Sequence, residues 1–153
     1  MNFSTLFRLE ENLHLDKKTL VTLRWIAIIG QFIAVNLVYY YLDLKFPILL
    51  SYIIIFFGLI TNLYLQFKIR TALLKDTYSS LFLAYDLMQL SLLLYLTGGI
   101  SNPFSLLLIV PAIVSSTFLS MGTTMLLGGV TIVSLFILTK FFLNYWNPSV
   151  AIF

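Results

Sequence analysis

The chain has 153 residues, of which 60% are apolar and only 10% charged, and its formal net charge is +3. A mean hydropathy of +0.99 leaves too little polar surface to cover a water-soluble core, so this is the sequence of an integral membrane protein. Basic residues scattered among apolar runs exclude a nucleic-acid face, and the lack of cysteine excludes a disulfide framework and a thiolate metal site.

Residues 1–19 form the first segment. It is not a secretory leader: Glu10, Glu11 and Asp16 stand where an apolar stretch is required, and no small-residue cleavage site follows. Phe3, Leu6, Phe7, Leu9, Leu13 and Leu20 recur at roughly helical spacing with charges between them. That pattern predicts an amphipathic helix lying on the inner membrane surface. His14 has no partner nearby in sequence and reads as an exposed interfacial side chain.

Residues 20–153 carry five apolar runs long enough to cross a ~30 Å hydrocarbon layer: Leu20 to Leu42, Pro47 to Phe67, Leu81 to Thr97, Phe104 to Leu119 and Thr124 to Leu143. They are continuous rather than alternating, which predicts an all-α polytopic bundle and not a barrel. The third and fourth runs are short and imply little tilt. Short connections make neighbouring helices antiparallel. Arg8, Lys17, Lys18, Arg24, Lys68, Arg70 and Lys75 fall on one side, against Lys45 and Lys140 on the other. This asymmetry predicts a cytoplasmic N-terminus. Tyr39, Tyr40, Tyr41, Tyr145 and Trp146 then fall at the outer boundary, where amphipathic rings prefer to sit. Five crossings end outside, at "NYWNPSVAIF", which reads as the approach to a sixth helix beyond Phe153. The expectation is therefore a piece of a longer chain.

Asp86 is the costliest residue, since a carboxylate at a helix centre is disfavoured by roughly 2.5–3.5 kcal/mol. Two readings stand side by side: a proton-handling or signal-relaying carboxylate, or a buried ion pair with Arg24, which enters the first span from the same side. Gln89 lies one turn later on the same face as Asp86. Gln31, Asn36 and Asn62 read as cross-helix hydrogen bonders. Gly122, Gly128 and Gly129 read as sites of close helix approach, and Pro111 as a kink in the fourth span.

Between the third and fourth spans stands "LTGGISNPF", residues 96–104. Gly98 and Gly99 can end a helix in the left-handed conformation, and Asn102 and Pro103 can start the next. An ordinary helix hairpin satisfies that pattern. Two adjacent glycines, an amide and Phe104 also make a cradle for a planar ligand with carbonyl oxygens, such as a quinone. Asp86 precedes Gly98 by a helical rise of ~18 Å and cannot share a small headgroup with this loop.

"GGISNPF" resembles the G-G-x-x-N-P-F heptapeptide of the RegB/PrrB/ActS family of membrane-bound redox-sensing histidine kinases. "DLMQLSLLLYLTGG" is similar to that family's third span, and "LVTLRWIAIIGQ", Leu20 to Gln31, to its L-R-W-x-A-x-x-G-Q element. The resemblance implies a six-helix sensor domain in a bacterial inner membrane, followed by a dimerising phosphoacceptor segment and an ATP-binding kinase domain acting on a response regulator. It implies ubiquinone as the sensed ligand, drawn from the membrane pool, with Gly98, Gly99, Asn102, Pro103 and Phe104 as the binding loop. Arg24, Asp86 and Gln89 become candidates for signal relay or a buried ion pair. These residues hold no phosphoacceptor box and no nucleotide-binding glycine motif, so ATP belongs only to the kinase domain, which is absent from this chain. The competing reading is a small non-signalling transporter or assembly factor with Asp86 on a substrate or proton path.

Overall fold

The computed structural model describes residues 16–42, 46–69 and 74–145, the last four by backbone alone. His14 and the proposed interfacial helix lie outside the described residues, as do Lys45, Arg70, Trp146 and the approach to a sixth helix. Every regular element among the described residues is helical. The chain is an all-α polytopic membrane protein.

The first helix, α1 (Lys17–Tyr40), begins where Asp16 caps the backbone N–H of Lys18. The α2 helix (Ile48–Lys68) follows Pro47. It packs along α1 and ends where Lys17 Nζ donates to the carbonyls of Gln66 and Ile69 at 2.8 and 2.5 Å. A lysine on the last carbonyls of a helix satisfies acceptors that lack intrahelical partners.

The α3 helix (Asp76–Leu96) packs on α2 and α5. Its start corrects the predicted boundary at Leu81. The polar residues Asp76, Thr77, Ser79 and Ser80 are helical because Asp76 sits in the first turn, facing the helix N-terminus and holding a neighbouring turn. At 21 residues the third span is not short.

The fourth span runs over Pro103–Phe118 in two conformations: a 3-10 stretch, Pro103–Ile109, and an α-helix, α4 (Val110–Phe118). Pro111 therefore stands in the first turn of α4 instead of kinking a continuous helix. Lacking an N–H and crowding the carbonyl of Leu107, it forbids the α-helical bond across that point. The N–H of Val110 takes the Leu107 carbonyl in 3-10 fashion instead. The last helix, α5 (Met121–Tyr145), returns across the bundle against α3 and α4.

Four helices among the described residues, α1, α2, α3 and α5, are long and apolar enough to cross a membrane, with Pro103–Phe118 shorter. Leu87, Leu90, Leu94, Leu108 and Leu138 form the core beneath the α3–α4 loop, with Phe104 packed against them. Leu20, Leu65, Leu74, Leu83, Leu119 and Leu127 close the opposite end.

Candidate functional site

The loop is built from α3 outward. Thr97 ends the helix with its N–H and Oγ1 both on the Leu93 carbonyl, at 3.0 and 2.8 Å. Gly98 and Gly99 then take φ of 114° and 61°, which a side chain would strain. The chain reverses through a short 3-10 turn, Gly99–Ser101, and reaches Asn102 in extended backbone.

Asn102 closes the loop. Its Oδ1 accepts from the Phe104 N–H at 2.9 Å, capping the next helix, while its Nδ2 donates to Thr97 Oγ1 at 2.7 Å and to the Thr97 carbonyl at 3.2 Å. Pro103 occupies the first helical position, where its missing N–H costs nothing. The amide of Asn102 is thus spent on the loop itself. The sequence offers Asn102 both as the start of the next helix and as a donor to a ligand; the structure shows the helix start, with Thr97 as a partner that nothing in the sequence marks. Beneath the loop lies a cavity of about 20 Å³ lined by Gln31, Thr97, Asn102 and Phe104. That is room for one water and not for a ring.

Two further polar rungs join α1 to α3 deeper in the bundle. Gln89 Nε2 donates to Gln31 Oε1 at 2.9 Å, and both side chains are buried. Arg24 Nη2 pairs with Asp86 Oδ1 at 2.9 Å and donates to Thr61 Oγ1 of α2 at 2.8 Å. The guanidinium also lies over the rings of Phe82 and Tyr85, 5.0 and 5.8 Å from their centroids. Arg24 and Asp86 are therefore together. Gln89 does not join that pair and belongs to a separate rung. Helical rise explains the split: Arg24 and Gln31 are ~10 Å apart along α1, Asp86 and Gln89 only ~4.5 Å apart along α3. The glutamines stand level, and the long arginine side chain covers the remaining ~6 Å.

Gly58 of α2 faces the Gln89 amide. A Cβ there would lie 2.5 Å from Gln89 Nε2 and 2.6 Å from Oε1. This is the glycine of close approach. Gly122, Gly128 and Gly129 are not, because a Cβ on each meets open space on α5. Asn36 and Asn62 do bond between α1 and α2: Asn36 accepts from Tyr52 at 2.9 Å, and Asn62 donates to the Val21 carbonyl at 3.4 Å.

The far end carries a cluster that the sequence reading missed. Asp76 accepts from the Ser120 hydroxyl at 2.5 Å, the Ser120 N–H at 3.3 Å and the Thr123 hydroxyl at 3.0 Å. It ties the start of α3 to the α4–α5 turn. The signal was an acidic residue at a helix start and the pair Ser120 and Thr123 at capping spacing, neither meaningful until folding brings them together.

A family model described as a PilS-like transmembrane domain matches residues 19–151. The chain is also 36% identical over 116 residues to the sensor histidine kinase RegB of Cereibacter sphaeroides. That similarity covers 75% of this chain and 25% of the relative, so the chain spans about a quarter of the length of the curated protein it matches. No solved structure matches.

Proposed function

Because this chain belongs to the family of PilS-like transmembrane domains, we propose that it is the sensor domain of a membrane histidine kinase and reports the redox state of a quinone pool. The kinase domain with its ATP, the response regulator that it phosphorylates and a homodimeric assembly belong to the whole protein under this reading. The membrane is a bacterial inner membrane, with residues 98–103 facing outward and the N-terminus in the cytoplasm. The grouping of Lys17, Lys18, Lys68 and Lys75 at one end of the bundle motivates that orientation. An impermeant thiol reagent applied to intact cells should label Ser101→Cys and leave Thr77→Cys unlabelled; the reverse pattern contradicts it.

The observation that carries the reading is the row of three polar links, Asn102 to Thr97, Gln31 to Gln89 and Arg24 to Asp86, running from the loop into the bundle. A ubiquinone head rests against Phe104 from the lipid side, because the cavity below is too small to admit it. A ring carbonyl competes with Thr97 for Asn102 Nδ2. Loosening that staple shifts the end of α3, and with it the rungs to α1. Gly98 and Gly99 let the loop follow.

Titration of a short-chain ubiquinone analogue into the purified chain tests this site. Phe104→Ala should weaken binding by at least about 0.5–1.5 kcal/mol, the worth of an aromatic pair beyond its area burial, and Asn102→Ala should weaken it as well. Equal affinity in all three proteins, with helicity unchanged, contradicts the assignment.

A further inference from the structure

Lys68 stands in the last turn of α2 and Lys75 at the start of α3, on either side of the short connection 69–74. Leu65 and Leu74 share one core cluster, which brings these two helix ends together. Both lysine side chains are exposed, and neither has a carboxylate partner: the ion pair among the described residues is Arg24 with Asp86. Asp76, next to Lys75, is spent on Ser120 and Thr123. This rim carries positive charge that the protein does not answer.

Deeper along the same two helices the bundle opens. Between α2, α3 and α5 is a cleft of about 630 Å³, walled mostly by apolar and aromatic side chains that include Phe57, Tyr85, Leu92 and Ile137. Phe57 is 55% exposed, so the cleft opens sideways. At 3.6 residues per turn, Phe57, Tyr64 and Lys68 fall on one face of α2. On α3, Tyr78 and Leu81 lead from Lys75 toward Tyr85, and Tyr64, Tyr78 and Leu81 are all exposed. Lys68 precedes the cleft by ~16 Å along α2 and Lys75 by ~15 Å along α3. That is half of a ~30 Å hydrocarbon layer, the depth one lipid tail covers. A bare gap of this size forfeits dispersion contacts on every wall.

We propose that the cleft seats one anionic phospholipid, with Lys68 and Lys75 on its phosphate head and its tails between α2, α3 and α5. Tyr64 and Tyr78 stand one turn deeper than the lysines, at the level where amphipathic rings meet the base of a headgroup. The lysines select charge and the cleft selects hydrocarbon, so neither an inorganic anion nor a neutral lipid satisfies both. Bound there, the lipid joins α2 to α5 across a gap that the chain leaves open. The proposal depends neither on what the loop at residues 98–104 takes nor on which leaflet faces the cytoplasm.

Native mass spectrometry tests it on the purified chain, released from micelles doped equally with phosphatidylglycerol and phosphatidylcholine carrying the same tails. Wild type should retain one phosphatidylglycerol, preferred by about thirty-fold, which is about five-fold for each lysine. Lys68→Gln and Lys75→Gln should each cut that preference about five-fold, and the double substitution should erase it. Lys18→Gln, on α1 and so outside the cleft walls, should leave it unchanged. Ser134→Phe and Leu92→Trp, which fill the cleft from different walls, should each lower retention of both lipids with helicity intact. Equal retention of the two lipids by wild type overturns the proposal. A loss on Lys18→Gln as large as on Lys68→Gln also overturns it, by reducing the site to a diffuse surface potential. Undiminished retention in both cleft-filling variants overturns the seat given to the tails.

Discussion

Arg24 sits two turns into α1 and is 2% exposed, yet it serves Asp86, Thr61 and two aromatic rings. The pair was legible in the sequence because two opposite charges entering a membrane from one side at similar depth have few alternatives to each other. Thr61 and Phe82 were not legible, since nothing in an apolar run marks which residues will face a distant arginine. The same limit hid Gly58: its value depends on the Gln89 amide, which only folding brings there. Removing either charge strands the other. Arg24→Leu and Asp86→Leu should each cost about 3–5 kcal/mol, and the double substitution far less than their sum. Thermal unfolding of the three variants in detergent checks this; simple additivity contradicts the pairing.

The spans emerged from apolar run length alone, but their inner structure did not. Proline spacing suggested a bend in the fourth span; what folds is a change of helix type. Seven residues at ~2.0 Å rise followed by nine at ~1.5 Å give about 28 Å, against about 24 Å for an unbroken α-helix. A run too short for the bilayer thereby nearly matches its thickness. The apolar run of the third span begins five residues after its helix does, because Asp76, Thr77, Ser79 and Ser80 look like loop until Ser120 and Thr123 arrive to bind Asp76. Asp76→Ala removes a charged acceptor holding three donors and should destabilise the bundle by about 1.5–3 kcal/mol. Thermal unfolding at fixed detergent concentration measures it, and an unchanged midpoint contradicts the role given to Asp76.

At the scale of the molecule, the two ends are fastened differently. Lys17 and Asp76 lock the end bearing Lys68 and Lys75 through bonds between elements, whereas at the other end Tyr52 ties α2 to α1 and the loop is stapled by Asn102 within itself. A ligand arriving at the loop thus meets the end that can yield, and the α1–α3 rungs lie between it and the locked end. Glycine and asparagine chemistry made the loop's shape legible beforehand. The order of the rungs was not, because it depends on how far each side chain reaches along two packed helices. The chain has no cysteine, so the central claim, that loop occupancy moves α1 against α3, can be measured cleanly. Spin labels at Lys18→Cys and Thr77→Cys report the distance between the N-terminal ends of these helices by pulsed electron resonance. Saturating short-chain ubiquinone should shift that distance distribution, and Gly58→Ala, which pushes Gln89 off Gln31, should abolish or mimic the shift. Identical distributions with and without bound ubiquinone would contradict the account.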